Sequence, residues 1–352
     1  MTILEQLSAI SRNTFVESIR QPIVLVVAVI ATILIILSNP LSAFTLDDDQ
    51  RMFVDIGLST VFISMAVVAS FIATNVIGRE IDNRTVLTVV SKPVSRPVFV
   101  LGKYLGVAGA LLLVFLYLSF TFLLVEMHGV LKTVRTPVHQ PVLLFGTLAV
   151  LVGIGSATWM NYFYGKSFAS SALLITTPAA GIAYLLAMLF SPEFGRNSME
   201  AIFTGAAGEK PVFEVPIWTA LGMLVIGVLM LASIAVAAST RLGQVLTLSV
   251  TIGVLMLGLL SDWLFARPAH ALASSIARNP ELATMGTKAK LWGLEALYAI
   301  TPNFQVFWLA DAINQDRAIP FAYVARTAPY GLLMIAAALC IAVALFQRRE
   351  VG

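Results

Sequence analysis

Gly165-Lys166-Ser167 has the residues that end a phosphate-binding loop. Such a loop needs a glycine five positions before its second glycine, so that successive backbone amides can cradle phosphate oxygens, and it follows a strand. Met160 holds that position and no strand pattern leads into it, so this chain is expected to bind no nucleotide and to carry no cofactor of its own. His128, His139 and His270 show no metal-ligand spacing, Cys340 is the single cysteine, and neither HExxH nor a GxSxG elbow occurs. Metal binding and catalysis are therefore not expected, and the chain is read as no enzyme. The chemistry on offer is recognition. It is concentrated between Gly78 and Lys103, where Arg79, Glu80, Asp82, Arg84, Lys92, Arg96 and Lys103 give seven charges, five of them basic.

That stretch lies between two apolar runs, Phe53–Ile77 and Tyr104–Val125. A polar connector between membrane spans must sit in water, and basic connectors stay on the cytoplasmic side. Asp82 or Asn83 can cap a helix over Arg84–Val90. Val86, Leu87, Val89 and Val90 make that helix too apolar for a free surface loop, and Pro93 stops it. Two readings are open: a coupling helix that docks into a groove on a cytosolic protein, or an ordinary basic loop that obeys topology.

The string Glu80, Asn83, Thr85, then Lys92-Pro93-Val94-Ser95-Arg96, then Gly102-Lys103, resembles the cytoplasmic loop of type-2 ABC exporter permeases. In that family an acidic residue opens the loop, a Thr follows, and a Pro-Val-Ser-Arg step leads to a Lys at the mouth of the third span. The ending Leu345-Phe346-Gln347-Arg348-Arg349-Glu350-Val351 is similar to theirs, as is Ala238-Ser239-Thr240-Arg241-Leu242 running into an apolar span. The resemblance implies the transmembrane subunit of an ABC transporter. It implies pairing with a second permease subunit as a homodimer, and a cytosolic ABC ATPase subunit as the partner that supplies ATP and Mg. It assigns ATPase coupling to Glu80, Arg84, Thr85, Val86, Leu87, Val90, Pro93, Arg96 and Lys103. The substrate, exported or extracted, is left unnamed. Members of that family usually have six spans, and the runs counted below depart from that number.

Composition sets the class independently. Apolar residues fill 59% of 352 positions and charged ones 12%, against roughly 45–50% and about 25% in soluble domains. The chain is an all-α polytopic membrane protein by this reading, with membrane lipids as surroundings and, at a net charge of +3, no pull toward nucleic acid. Ile3, Leu4, Leu7, Ile10, Phe15 and Ile19 recur at helical spacing with polar residues between them. Residues 1–21 are read as an interfacial elbow helix, with a frayed tail as the other reading. No cleavable signal is recognised at the start.

Eight apolar runs follow: Pro22–Leu37, Phe53–Ile77, Tyr104–Val125, Val142–Met160, Phe168–Phe190, Ile217–Ala238, Val245–Leu260 and Pro329–Phe346. A crossing needs about 20 residues, so the first and seventh should extend into their flanks. With both termini inside, cytoplasmic segments carry 11 basic residues against five acidic ones, whereas the outer segments carry 11 against 14 over nearly twice the length. Basic residues close to the spans set orientation, so the expectation is a multi-pass protein of the plasma (inner) membrane with cytoplasmic termini. Residues 261–328 then form a large outer segment. Its amphipathic pieces Leu291–Ala299 and Asn303–Asn314 are read as two short helices on or dipping into the outer leaflet, or as part of a compact lobe. The whole chain is a single permease domain in this reading.

The spans are almost free of charge; Asp55 lies near the outer end of the second and Glu126 just past the third. A proton- or sodium-driven secondary carrier would need ionisable relays near the midplane, so it ranks behind a permease and behind a permease-like scaffold that moves no substrate. The second span is instead rich in small polar groups. Ser59, Ser64, Ser70, Thr74 and Asn75 fit a dimer interface or a substrate path, and Gly102-x-x-x-Gly106 fits close helix packing.

Overall fold

Among the described residues of the computed structural model, eight helices are long and apolar enough to cross a membrane. The structure describes residues 2–44, 49–78, 95–130, 138–205, 210–315 and 317–347. Helix α1 (Ile3–Ile19) opens the chain, closed at its start by a reciprocal capping box between Thr2 and Glu5. The spans are α2 (Pro22–Ser42), α3 (Asp49–Ala73), α4 (Arg96–His128), α5 (Gln140–Tyr164), α6 (Phe168–Met188) and α7 (Val215–Ser239), then α8 (Gln244–Ser261) and, last, a final helix from Phe321 to Gln347. Between those last two spans stand α9 (Arg267–Arg278) and α10 (Met285–Ile300); the final helix is α11. The molecule is an all-helical polytopic membrane protein.

Each turn is marked by the residues that force it. Proline sits in the first turn of α2, α4, α5 and α7, where the missing N–H costs nothing. Gly165 adopts φ 62° after α5, the left-handed cap that a side chain disfavours, and the chain reverses directly into α6. This Gly165-Lys166-Ser167 turn is a helix C-cap. The first span reaches Ser42, and α8 runs on through a π-helical turn, Asp262–Ala266, into α9, so both short runs do extend into their flanks.

The core follows from how much of each span is covered. Helices α3, α4, α6 and α7 are buried over most of their length, whereas α2, α5, α8 and α11 are mostly exposed and present Ile, Leu and Val outward. In a membrane those outer faces meet lipid tails. Phe53 and Phe122 stack with centroids 5.4 Å apart where α3 meets α4. Helix α4 packs against α1, α2, α3, α6, α7 and α11. It is 33 residues long and has no proline beyond its first turn.

Two expectations from the sequence are corrected. Asn303–Asn314 is not one amphipathic helix. It is a 3-10 turn, Gln305–Phe307, followed by a five-residue helix, Ala310–Asn314. Phe304 and Phe307 are buried, not laid on a surface. The Phe304 amide donates to the Gly258 carbonyl (3.3 Å), the Asn303 amide to the Tyr330 hydroxyl (2.8 Å), and the Phe304 ring packs on Phe62. The segment dips between α3, α7, α8 and α11, and Gly258 admits it because any side chain there would overlap the Pro302 carbonyl. The third span also begins earlier than Tyr104: helix α4 starts at Arg96, for the reason developed below. Leu291–Ala299 lies within α10, all of it at least partly exposed, including Trp292 and Leu297.

The start of α4, the ends of α7 and α11 and the turn between α1 and α2 come together on one face of the bundle, the proximal face. The ends of α2 and α4, the start of α5 and the dipping segment lie on the opposite, distal face.

Candidate functional site

Glu80, Arg84, Thr85, Val86, Leu87, Val90 and Pro93 lie outside the described residues. The two roots of that loop are described, and each is tied to another part of the proximal face.

The first root is the end of α3. The helix widens there into a π-helical turn, Thr74–Gly78. Ser70 donates its hydroxyl to the Ala66 carbonyl (2.9 Å) and Thr74 to the Ser70 carbonyl (2.8 Å). Such back-bonding competes with the main-chain ladder and loosens it, and single π turns are frequent at functional positions. Within the turn, Asn75 donates its amide to the Gln21 side-chain oxygen at 2.9 Å. Gln21 is one of the two residues between α1 and α2, so the exit of α3 is fastened to the turn that follows the N-terminal helix.

The second root is the start of α4. Arg96 donates its guanidinium to the carbonyl of Gln347, the last residue of α11. Phe99 stacks on Phe346 with centroids 5.5 Å apart, joining the same two helices. One and two turns further on, α4 receives α1. Gly102 meets the Ile10 side chain, and a Cβ at Gly106 would come within 2.6 Å of the Ser11 carbonyl, so only glycine lets the two backbones approach this closely. Lys103 is buried by this packing, with its ammonium 3.8 Å from the Glu17 carboxylate and 5.7 Å from the centre of the Phe99 ring. A carboxylate and a ring face are what make a lysine tolerable inside the bundle. That is why the helix starts eight residues before the apolar run does.

The five residues of the second span expected to form a dimer interface or substrate path divide into two groups. Ser70, Thr74 and Asn75 belong to the proximal root just described. Ser59 and Ser64 lie further toward the distal face. With Leu34, Asp55, Ile56, Thr60 and Ile63 they line an open groove of about 320 Å³ between α2 and α3. Asp55 is held there by Asn314, whose amide donates to its carboxylate at 2.8 Å. Leu34 and Ile63 on the groove are half exposed, so this polar strip faces out of the bundle.

Sequence reasoning missed Glu17, Gln21, Gln347 and Asn314. Glu17 and Gln21 carry a readable signal, because each is polar beside an apolar helix face. Gln347 acts through its main chain, which no side-chain pattern reveals. No family model matches the chain, and no curated protein does.

Proposed function

We propose that this chain is the membrane subunit of an ATP-driven transporter whose ATPase is a separate polypeptide. Residues 84–90 dock on that ATPase. What supports the reading is the anchoring of the loop at both roots. Asn75 ties one root to Gln21, and Arg96, Gly106 and Lys103 tie the other to α11 and α1. A connector that only reverses the chain needs no such attachments. A load applied to this one passes to α1, α3, α4 and α11 together.

The proximal face is then cytoplasmic, in keeping with the basic residues on it. The groove of Asp55, Ser59, Thr60 and Ser64 supports pairing of two copies. Polar side chains facing lipid are costly, and a second subunit over the groove removes that cost.

The test is a ranking of three variants at matched expression, read by retention of the soluble ATPase on the purified chain. If residues 84–90 fill a groove, Val90→Asp and Leu87→Ala weaken retention, the latter by about 2 kcal/mol. Arg84→Ala on an exposed rim costs about 0–1 kcal/mol. Full ATPase retention and stimulation in Val90→Asp would overturn the proposal.

A further inference from the structure

On the distal half of the bundle, α2, α4, α5 and α6 surround a cavity of about 650 Å³. It runs from Thr32, midway along α2, and Tyr117, two thirds along α4, to Asn39 and His128 at the distal rim. At 1.5 Å per residue, seven residues along α2 and eleven along α4 make it about 10–16 Å deep, close to the half-thickness of a hydrocarbon core of about 30 Å. Its lining is largely apolar and holds no charged side chain.

We propose that this cavity is a lipid site that takes one acyl chain of a phospholipid from the distal leaflet. Three observations fix the occupant. First, the hydroxyls at the inner end, those of Thr32, Tyr117 and Thr121, are already engaged, leaving only the single hydroxyls of Thr147 and Thr176 on α5 and α6: Thr32 bonds Tyr117 at 2.9 Å and the Ala28 carbonyl at 2.8 Å, and Thr121 donates to the Tyr117 carbonyl at 2.9 Å. A water would find few partners there, whereas an apolar occupant needs none. Second, Leu37 and Leu143 on the two sides of the mouth are half exposed on lipid-facing helices, so the medium at the opening is hydrocarbon. Third, the space is held open by small residues. Gly146 lines it, and a Cβ built there meets nothing within 4 Å. An apolar cavity of about 150 Å³ already holds a benzene ring, so this one has room for a long run of methylenes. The rim groups Asn39 and His128 both contact the Gly129 carbonyl and carry no fixed charge that would select an anionic head group.

The inference does not depend on the transport reading, and its test requires no ATPase. The full chain is reconstituted in phosphatidylcholine nanodiscs doped with a phosphatidylcholine that bears a diazirine midway along one acyl chain. After illumination, adducts are mapped by peptide mass spectrometry. Tyr117 is buried at 8% exposure, so lipid merely surrounding the protein does not reach it, whereas Leu333 on α11 is 71% exposed and reports that surrounding lipid. The expected result is labelling at both. In Gly146→Leu the Tyr117 adduct falls roughly tenfold, because the new side chain displaces several chain methylenes, while the Leu333 adduct stays. If Gly146→Leu does not purify as a folded species, Ala180→Leu fills the same cavity from α6. No Tyr117 adduct in the unaltered protein, or one that persists undiminished in the filled variant, would overturn the site.

Discussion

Arg96, in the first turn of α4, donates its guanidinium to the main-chain carbonyl of Gln347 at the end of α11. The last carbonyls of a helix have no partner within it, and the C-terminal end of the helix dipole is negative. Arg241, in the turn between α7 and α8, does the same for Leu345, its Nε donating to that carbonyl at 3.1 Å. Two of the basic residues on the proximal face thus also cap the last span.

Removing these caps should fray α11 without unfolding the bundle. Each exposed cation near a helix C-terminus contributes about 0.3–1 kcal/mol. In Arg96→Ala/Arg241→Ala, amide exchange over the last turn of α11 is expected to speed up, while the global melting temperature changes little. Hydrogen exchange read by mass spectrometry checks this. An unchanged rate at residues 343–347 would mean that the two arginines stabilise nothing there.

Gly106 should not tolerate a side chain. Leu at this position must push α1 away from α4, and overpacking of this kind costs about 1–3 kcal/mol. Gly106→Leu is expected to make α1 accessible to protease while the spans stay folded. Gly146→Leu, in open space, should leave α1 protected. Limited proteolysis in detergent compares the two.

Acid should weaken the fold through His139. This residue stands at the N-terminal boundary of α5 without a side-chain capping bond, is buried, and its Nδ1 has no hydrogen-bond partner among the described residues. Burial pushes its pKa below the ordinary 6.5, and the nearby His128 pushes the same way. The folded state therefore prefers the neutral ring. Its stabilisation is complete above about pH 6.5 and is lost as pH falls through the lowered folded value, because the unfolded chain then binds the extra proton. Melting in detergent should drop from about pH 7.5 to about pH 5, and His139→Gln should flatten that slope. An identical slope in the variant would assign the acid sensitivity elsewhere.

Phe307 should act as an anchor of the dipping segment. It is 1% exposed, stacks on Tyr330 at 6.2 Å and packs beside Gly227 and Gly331. Truncating a buried phenylalanine costs about 3–5 kcal/mol, so Phe307→Ala should lower the melting temperature markedly. Phe44→Ala, at a residue 87% exposed, should not.

The spans were legible because each is a continuous apolar run, and a helix is the only regular structure that satisfies its own backbone in lipid. Their ends were less so. The start of α4 holds Arg96 and Lys103, which read as loop until Glu17 and Gln347 are brought beside them by the fold. Phe304, Phe307 and Trp308 have the spacing of an amphipathic helix, yet the chain there turns tightly and inserts. Helix α9 was not among the pieces read in residues 261–328; its Pro268 stands in the first turn, where proline is at home. Of the residues read as a dimer interface or substrate path, Ser70, Thr74 and Asn75 are neighbours along one root, but Ser59 and Ser64 line a separate groove. A list of hydroxyls in one span could not separate them, because which side of a helix is covered depends on its neighbours.

Helix α4 links the two ends of the molecule in a way that its packing alone does not express. Its 33 residues span about 50 Å at 1.5 Å per residue, far more than a hydrocarbon core of about 30 Å. Arg96 stands at one tip and His128, on the rim of the lipid cavity, at the other. A helix unbroken by proline pivots as a stiff strut. A tilt of a few degrees at the Arg96 tip is the same tilt at the His128 tip, and over this length it becomes a displacement of several ångströms, enough to widen or pinch the mouth between α2 and α5.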